Sequence, residues 1–418
     1  MDKIKILVVP SDTVGGVGFY RSMQPHAQIA VQYPDEFEIS INPNPNWMDF
    51  SFFDKFDIIH IHKGLYQNMG TFLAAMKYFK SKNIVTVMDI DDHFKLGPHH
   101  PQYATQRQFG TDKMIVNNFK LFDYVTTTTE IFANEIKKHN KNVRVFPNAI
   151  NPEDERFKIN KPKSDLIRVG MIMGSSHEYD VEPLRNLMTD LPEDVLNKVQ
   201  IVLCGFDTRG SIRMINPETK EVQEREITPR ESVWYRYEKS ITNNYRLLTP
   251  EYVQYLEMFT PKIEWPNVEK EHYRRCWTKD INHYYSHYNN VDILLAPIES
   301  VEFNRVKSQL KVIECGFSHT ALIASDFGPY TLDLKTIIKR GGDIDETGNA
   351  ILVDERKKHK DWVKGITRLV RNPELITLLQ NNIYETVKDK FDLRNVAKDR
   401  ADFYKEIYNK AKENKVEG

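Results

Sequence analysis

The densest collection of chemically useful side chains lies in EFNRVKSQLKVIECGFSHTALIASDFGPY, residues 302–330. Arg305, Lys307 and Lys311 lead into a helical stretch carrying Glu314, and a glycine turn then precedes a buried apolar run. Cations beside the free N–H groups of a helix start neutralise a diphosphate. A carboxylate one turn further on can accept both hydroxyls of a ribose. Lys311 and Glu314 are three apart and so share a helix face. An ordinary Lys/Glu pair on a solvated helix has the same spacing, so the pattern alone leaves both readings open.

A second collection is MDIDDHF, residues 88–94, at the end of an apolar run. Asp89-x-Asp91 fits a bare metal-binding pattern, but hard cations take more oxygen ligands than this stretch offers. The expectation is therefore no metal. Asp89, Asp91, Asp92 and His93 are instead candidates for hydrogen-bonding or proton-transfer chemistry. His60 and His62 in IIHIH share one side of a strand; His60 reads as structural and His62 as the one nearer a ligand. In PSDTVGGVGFYR (10–21), Gly15, Gly16 and Gly18 allow close approach of backbone to phosphate or sugar. A tight turn is the competing reading, and the G-x-G-x-x-G dinucleotide pattern is incomplete. Arg21 closes this stretch. In GMIMGSSHEYD (170–180), Gly174, Ser175 and His177 offer phosphate-binding backbone and side-chain groups.

These residues need strands and helices to hold them. IKILVV (4–9), FEISI (37–41), FDIIHIH (56–62), NIVTVMDI (83–90), DYVTTTT (123–129) and VRVFP (143–147) read as buried strands, rich in Val, Ile and Thr. Residues 67–81 and 130–139 between them have helical spacing. After a polar linker at 151–165 the alternation restarts with LIRVGMIM (166–173), VQIVLCG (199–205), VDILLAP (291–297), TALIAS (320–325) and AILV (350–353). The pattern predicts an α/β protein with two Rossmann-like, doubly wound domains facing across a cleft. The expected limits are 1–155 and 156–395, with residues 207–266 an insertion in the second domain. That insertion would serve as a lid, an oligomer contact or an acceptor platform. A C-terminal helix at 396–418 would pack back on the first domain.

Composition sets limits on partners. The 418 residues carry a net charge of −1, with 40% hydrophobic and 28% charged residues. That balance gives no field to draw in nucleic acid, the least favoured partner. No run is long and apolar enough for a membrane span or signal core, so the expected location is cytoplasmic. Peripheral membrane association and oligomeric state stay open. Cys204, Cys276 and Cys315 match no metal-ligand spacing and read as buried thiols.

The 302–330 stretch resembles the donor-site signature of retaining GT-B glycosyltransferases of the family-4 type, approximately K-S-x-L-K-x-x-E followed by G-x-P-V-I-A-S. The matching residues are Lys307, Ser308, Leu310, Lys311, Glu314 and Ala321 through Ser325. VFPNAIN (145–151), DYVTTTTEIFANEI (123–136), TGNAILVDE (347–355) and NPEL (372–375) extend the resemblance along most of the chain. It implies the GT-B fold and retaining, metal-independent sugar transfer without a cofactor. The donor would be a nucleotide diphosphate sugar and the acceptor a hydroxyl of a polysaccharide, glycolipid or other glycan. By the resemblance Glu314 would hold the donor ribose, Arg305, Lys307 and Lys311 would surround its phosphates, and the glycine loop would face the donor, with Arg21 a phosphate or acceptor contact. Asp89, or instead Asp91, Asp92 or His93, would orient the donor sugar or accept the acceptor's proton. Three features depart from the family. Asp89 stands where a His is common, residues 170–180 lack the usual Arg and Lys, and Val306 stands eight before Glu314 where a Glu is expected. They keep two alternatives alive: a sugar-nucleotide epimerase of the same fold, or a non-catalytic nucleotide-sugar binder.

Overall fold

The computed structural model describes residues 2–63, 69–215, 218–219, 221–243, 245, 248–339, 341–354 and 359–416. Residues 67–68 of the expected helix, Glu355 and parts of 207–266 lie outside these. The chain forms two compact units, the first made of Met1–Asp154, Ser300–Ile313 and Val387–Gly418.

Six apolar runs of the first unit form β1 (Ile4–Val9), β2 (Phe37–Ile41), β3 (Ile58–His62), β4 (Val85–Ile90), β5 (Tyr124–Thr127) and β6 (Val143–Val145). They pair in parallel in the order β2-β1-β3-β4-β5-β6. Side chains alternate across the sheet. Leu7, Val9, Ile59, Ile61, Met88 and Ile90 pack on one face against a phenylalanine-rich layer that includes Phe53, Phe79 and Phe119. Ile6, Val8, Ile58 and Val87 face the other side, which is covered by Val396, Ala401, Phe403 and Tyr404 of the helix Leu393–Val416. Two-residue steps along β3 and β4 then place His60, His62 and Asp89 on that second face. The sheet is thus apolar at one end and ionisable at the other.

The C-terminal helix is fastened there by polar groups. His26 bonds the Ser22 carbonyl through Nδ1 (2.6 Å) and the Tyr404 hydroxyl through Nε2 (2.7 Å), and that hydroxyl lies 2.9 Å from His60 Nδ1. All three side chains are buried.

The second unit comprises Glu155–Glu299 and Glu314–Thr386. Its strands β7 (Ile167–Ile172), β8 (Val199–Phe206), β11 (Tyr273–Trp277), β12 (Ile293–Ala296), β13 (Ala321–Ser325) and β14 (Ile351–Val353) form a parallel sheet ordered β11-β8-β7-β12-β13-β14. Strand β11 was not expected, because YRRCW carries two arginines and lies at the sheet edge. Arg275 turns inward: it pairs with the buried Glu238 at 2.6 Å and lies 4.0 Å over the Phe206 ring. Glu238 belongs to the helix Val233–Thr242, which with the helix Pro250–Glu257 buries Trp234, Tyr237, Tyr252 and Leu256 in the core. Residues 233–257 are therefore part of the β8-to-β11 crossover rather than an appendage. A hairpin of β9 (Ser211–Ile215) and β10 (Val222–Glu226) forms a separate small sheet.

The limits also differ from expectation at two places. Residues 300–313 belong to the first unit: Val306 is buried in its core, Thr129 Oγ1 donates to the Val306 carbonyl, and Asn148 Nδ2 donates to Ser308 Oγ. Residues 387–395 join it through backbone bonds between Ile150 and both Phe391 and Leu393. Among the described residues no helix is long and apolar enough to cross a membrane.

Burial, followed by the Arg400 charge, pulls His26 down to about 3. A histidine so depressed contributes stability that is fully present above its unfolded value near 6.5 and is lost as pH falls toward about 3. The expected slope from His26 is about 1.4 kcal/mol per pH unit within that window. Urea titrations of wild type and His26→Gln between pH 7 and 4 check this, with the variant showing the shallower loss.

Candidate active site

In open parallel sheets, ligands gather at the carboxyl ends of strands, where the chain order reverses. That point lies between β1 and β3 in the first unit and between β7 and β12 in the second. Both are furnished with polar groups.

In the first unit, β3 ends at His62, whose register partner on β4 is Asp89. His62 Nδ1 lies 2.7 Å from Ser11 Oγ, just past β1, and Nε2 lies 3.3 Å from Asp91 Oδ1. Lys63 Nζ reaches Asp91 at 3.3 Å and Asp92 at 3.5 Å. Burial alone would raise Asp91, but the Lys63 ammonium and His62 hold it well below the usual carboxylate range. Asp92 is raised, by burial first and then by the Asp91 charge. Ser11, His62, Lys63, Asp91 and Asp92 thus form one cluster.

Asp89, expected to be catalytic, is fully buried. Oδ1 accepts from Arg21 Nη2 (2.7 Å) and Thr126 Oγ1, and Oδ2 accepts from Arg21 Nε (2.9 Å). Arg21 Nη1 donates to the Phe146 carbonyl and to Asn148. At 1% exposure Arg21 faces no solvent. In this structure the two residues form an internal ion pair. Burial opposes ionisation of Asp89, but Arg21 outweighs it and keeps the carboxyl far below its ordinary value. His93 is buried, its ring stacks with those of Phe94 and Phe132, and its Nδ1 accepts the Lys95 N–H.

The glycine loop serves a different partner than expected. Asp12 accepts the N–H groups of Gly15 and Gly18, putting a carboxylate where the phosphate was expected. A Cβ at Gly18 would stand 2.0 Å from the Asp12 carbonyl oxygen, so glycine is required there by close packing. Gly16 opens the short helix between them.

In the second unit, Gly174 and Ser175 are exposed just past β7. His177 Nδ1 lies 2.6 Å from Asp180 Oδ2, and Asp180 Oδ1 accepts the Glu299 N–H beyond β12. One carboxylate therefore ties together the two loops at the switch point. The three-residue spacing of His177 and Asp180 is the sequence signal for this bond.

Glu314 sits on the helix Leu310–Phe317 with Lys311. It is 0% exposed, Oε2 accepts the Tyr288 hydroxyl at 2.8 Å, and its backbone carbonyl accepts from Tyr285. A ribose contact would require uncovering it. Arg305 is exposed, and Lys307 lies 5.1 Å over the Phe303 ring. Among the described residues no group of three or more His, Cys, Asp or Glu is placed to hold a metal ion. Cys204, Cys276 and Cys315 are free thiols.

The sequence matches no protein-family model and no curated protein. Solved structures do match in fold. HepE of Anabaena, in complex with UDP and glucose, superposes with a TM-score of 0.60 at 11% identity, covering 96% of this chain and 100% of that one. The fold is GT-B. The trehalose-6-phosphate synthase OtsA gives 0.52 at 10% identity over 97% of this chain and 99% of that one. A trehalose 6-phosphate synthase of Burkholderia multivorans gives 0.52 at 10% identity over 88% and 75%.

Removing one partner of a buried ion pair strands the other charge, at about 3–5 kcal/mol. Asp89→Ala is therefore expected to lower the urea stability of the protein by that amount. Unchanged stability with lost turnover would return Asp89 to a catalytic role.

Proposed function

We propose that the protein is a glycosyltransferase that moves a sugar from a nucleotide diphosphate sugar to a hydroxyl acceptor. The observation that carries this reading is the whole-length GT-B likeness, combined with a polar cluster at the carboxyl ends of both sheets. HepE binds UDP and glucose, which makes UDP the first nucleotide to try. Retention of the anomeric configuration and independence of metal or other cofactor rest on the 302–330 resemblance. The acceptor is proposed to be a polysaccharide, glycolipid or other glycan, and a cytoplasmic location completes the reading.

In this reading the loop Gly174–His177 receives the diphosphate. Its exposed glycine lets backbone N–H groups approach the anion, and Ser175 and His177 add side-chain donors. Asp180 holds His177 in place, so little ordering remains when the donor arrives. Lys311 adds positive charge from its own helix. The acceptor belongs to the first-unit cluster, where His62 and Asp92 are the proposed reactive groups.

The test is nucleotide release from UDP-, GDP- and ADP-sugars, with and without EDTA, in wild type and His177→Ala. The expected result is EDTA-insensitive release from one donor class, with the Michaelis constant raised about tenfold or more in His177→Ala, as for loss of a charge-assisted bond. EDTA-sensitive release would overturn metal independence. Nucleotide binding without release would favour the non-catalytic binder.

A further inference from the structure

Two of the chain's three cysteines meet in the second sheet. Cys276 on β11 and Cys204 on β8 are register partners in a parallel pair. Register partners point to the same face of a sheet, and neighbouring strands lie about 4.8 Å apart. That spacing falls inside the range of about 4.4–6.8 Å that a disulfide asks of its Cα atoms. Strand β11 is also the sheet edge, and its register shifts directly after Cys276. An edge strand with an irregularity there has room to adjust to a new bond.

The two thiols differ in access. Cys204 is fully buried, whereas Cys276 is half-buried and lines a cavity of about 280 Å³. The exposed residues Thr278 and Lys279 line the same cavity, so it opens to solvent. A dissolved reagent therefore meets Cys276 first.

The charges around the cavity favour a thiolate and an anion. Arg275 is spent on Glu238, and Glu264 is the one carboxylate in the lining. Arg274 donates from Nη1 to Asn290 Oδ1 at 2.9 Å, and Lys279 donates from Nζ to Ser286 Oγ at 2.6 Å. Both partners are neutral, and among the described residues neither cation is paired with a carboxylate. Tyr255 and His287 complete the titratable lining. Donation from the Cys204 thiol lowers Cys276, burial opposes this, and the Arg274 and Lys279 charges add to the lowering. Burial raises Cys204. Cys276 thus has the surroundings of an attacking thiol and Cys204 those of a reserve partner.

We propose that Cys276 and Cys204 form a dithiol site that a small anionic disulfide, of the glutathione class, oxidises to a disulfide joining β11 to β8. The Cys276 thiolate attacks one sulfur of the reagent, forms a mixed disulfide and releases a thiolate, which takes up the proton Cys276 had lost. Cys204 then gives up its proton and attacks the Cys276 sulfur. The second reagent thiol leaves with that proton. The two cysteines lose two electrons, and the reagent gains them and ends as two thiols. Excess thiol runs the exchange backwards, so the site follows the ratio of disulfide to thiol around it. It lies wholly within the second unit and does not depend on the transferase reading.

The test holds the whole protein with oxidised glutathione at neutral pH, quenches with acid, and maps thiols and cross-links by mass spectrometry. The expected product has lost two thiols and about 2 Da, with the Cys204 and Cys276 peptides joined. In Cys204→Ser the reaction is expected to stop at a glutathione adduct on Cys276, about 305 Da heavier. In Cys276→Ser, Cys204 is expected to stay a free thiol. Arg274→Gln combined with Lys279→Gln is expected to slow the loss of thiol about tenfold. A wild type that keeps its thiols, stops at the adduct, or pairs either cysteine with Cys315 or a second chain would overturn the site. An unslowed double variant would overturn its anionic preference. The wild-type product alone decides whether the site exists, even where a variant fails to fold.

Discussion

The first unit is organised around a charge that cannot reach water. Arg21 and Asp89 are enclosed almost completely, and two enclosed charges are tolerated only when their geometry and remaining hydrogen bonds are well satisfied. Here they are. The guanidinium is held by Asp89, the Phe146 carbonyl and Asn148, and the carboxylate also takes Thr126. Asn148 in turn donates to Ser308, which brings the returning segment 300–313 into the same set. The helix after β1, the ends of β4 and β5, and the chain beyond β6 are thereby fixed to one point. Ser11, in the loop after β1, lies 2.7 Å from His62. The ion pair does no chemistry in this account; it sets the positions of groups that do.

Both units apply the same rule with different furnishings. Parallel strands leave helix starts and loops at one sheet edge, and reversal of strand order opens a gap there. In the first unit the gap holds carboxylates, a lysine and a histidine, groups suited to moving a proton. In the second it holds glycine, serine and a histidine braced by Asp180, groups suited to holding an anion. The proposed transferase needs both tasks done, and each sheet has a set of carboxyl ends suited to one of them.

Eleven of the twelve strands in the two large sheets were legible because a strand covered on both faces must be apolar throughout. Strand β11 was not, because an edge position admits arginines and because Arg275 finds its partner, Glu238, on a crossover helix 37 residues away. The candidate site was legible in residue type more than in role. Arg21 and Asp89 were both singled out, but a sequence does not show that residues 68 apart neutralise each other. Gly15 and Gly18 were read as ready for phosphate, while the residue that takes their N–H groups, Asp12, stood unnoticed in the same loop. Glu314 matched its motif and proved to be covered by Tyr288, a contact no local pattern announces. Ser11 carried no signal at all except its place just past the first strand.

The most direct test of the central claim is a crystal structure of the whole protein grown with UDP. The account predicts the diphosphate against the backbone of Gly174–His177, with His177 still on Asp180. UDP bound at another place, or a protein that binds no nucleoside diphosphate in solution or crystal, would contradict it.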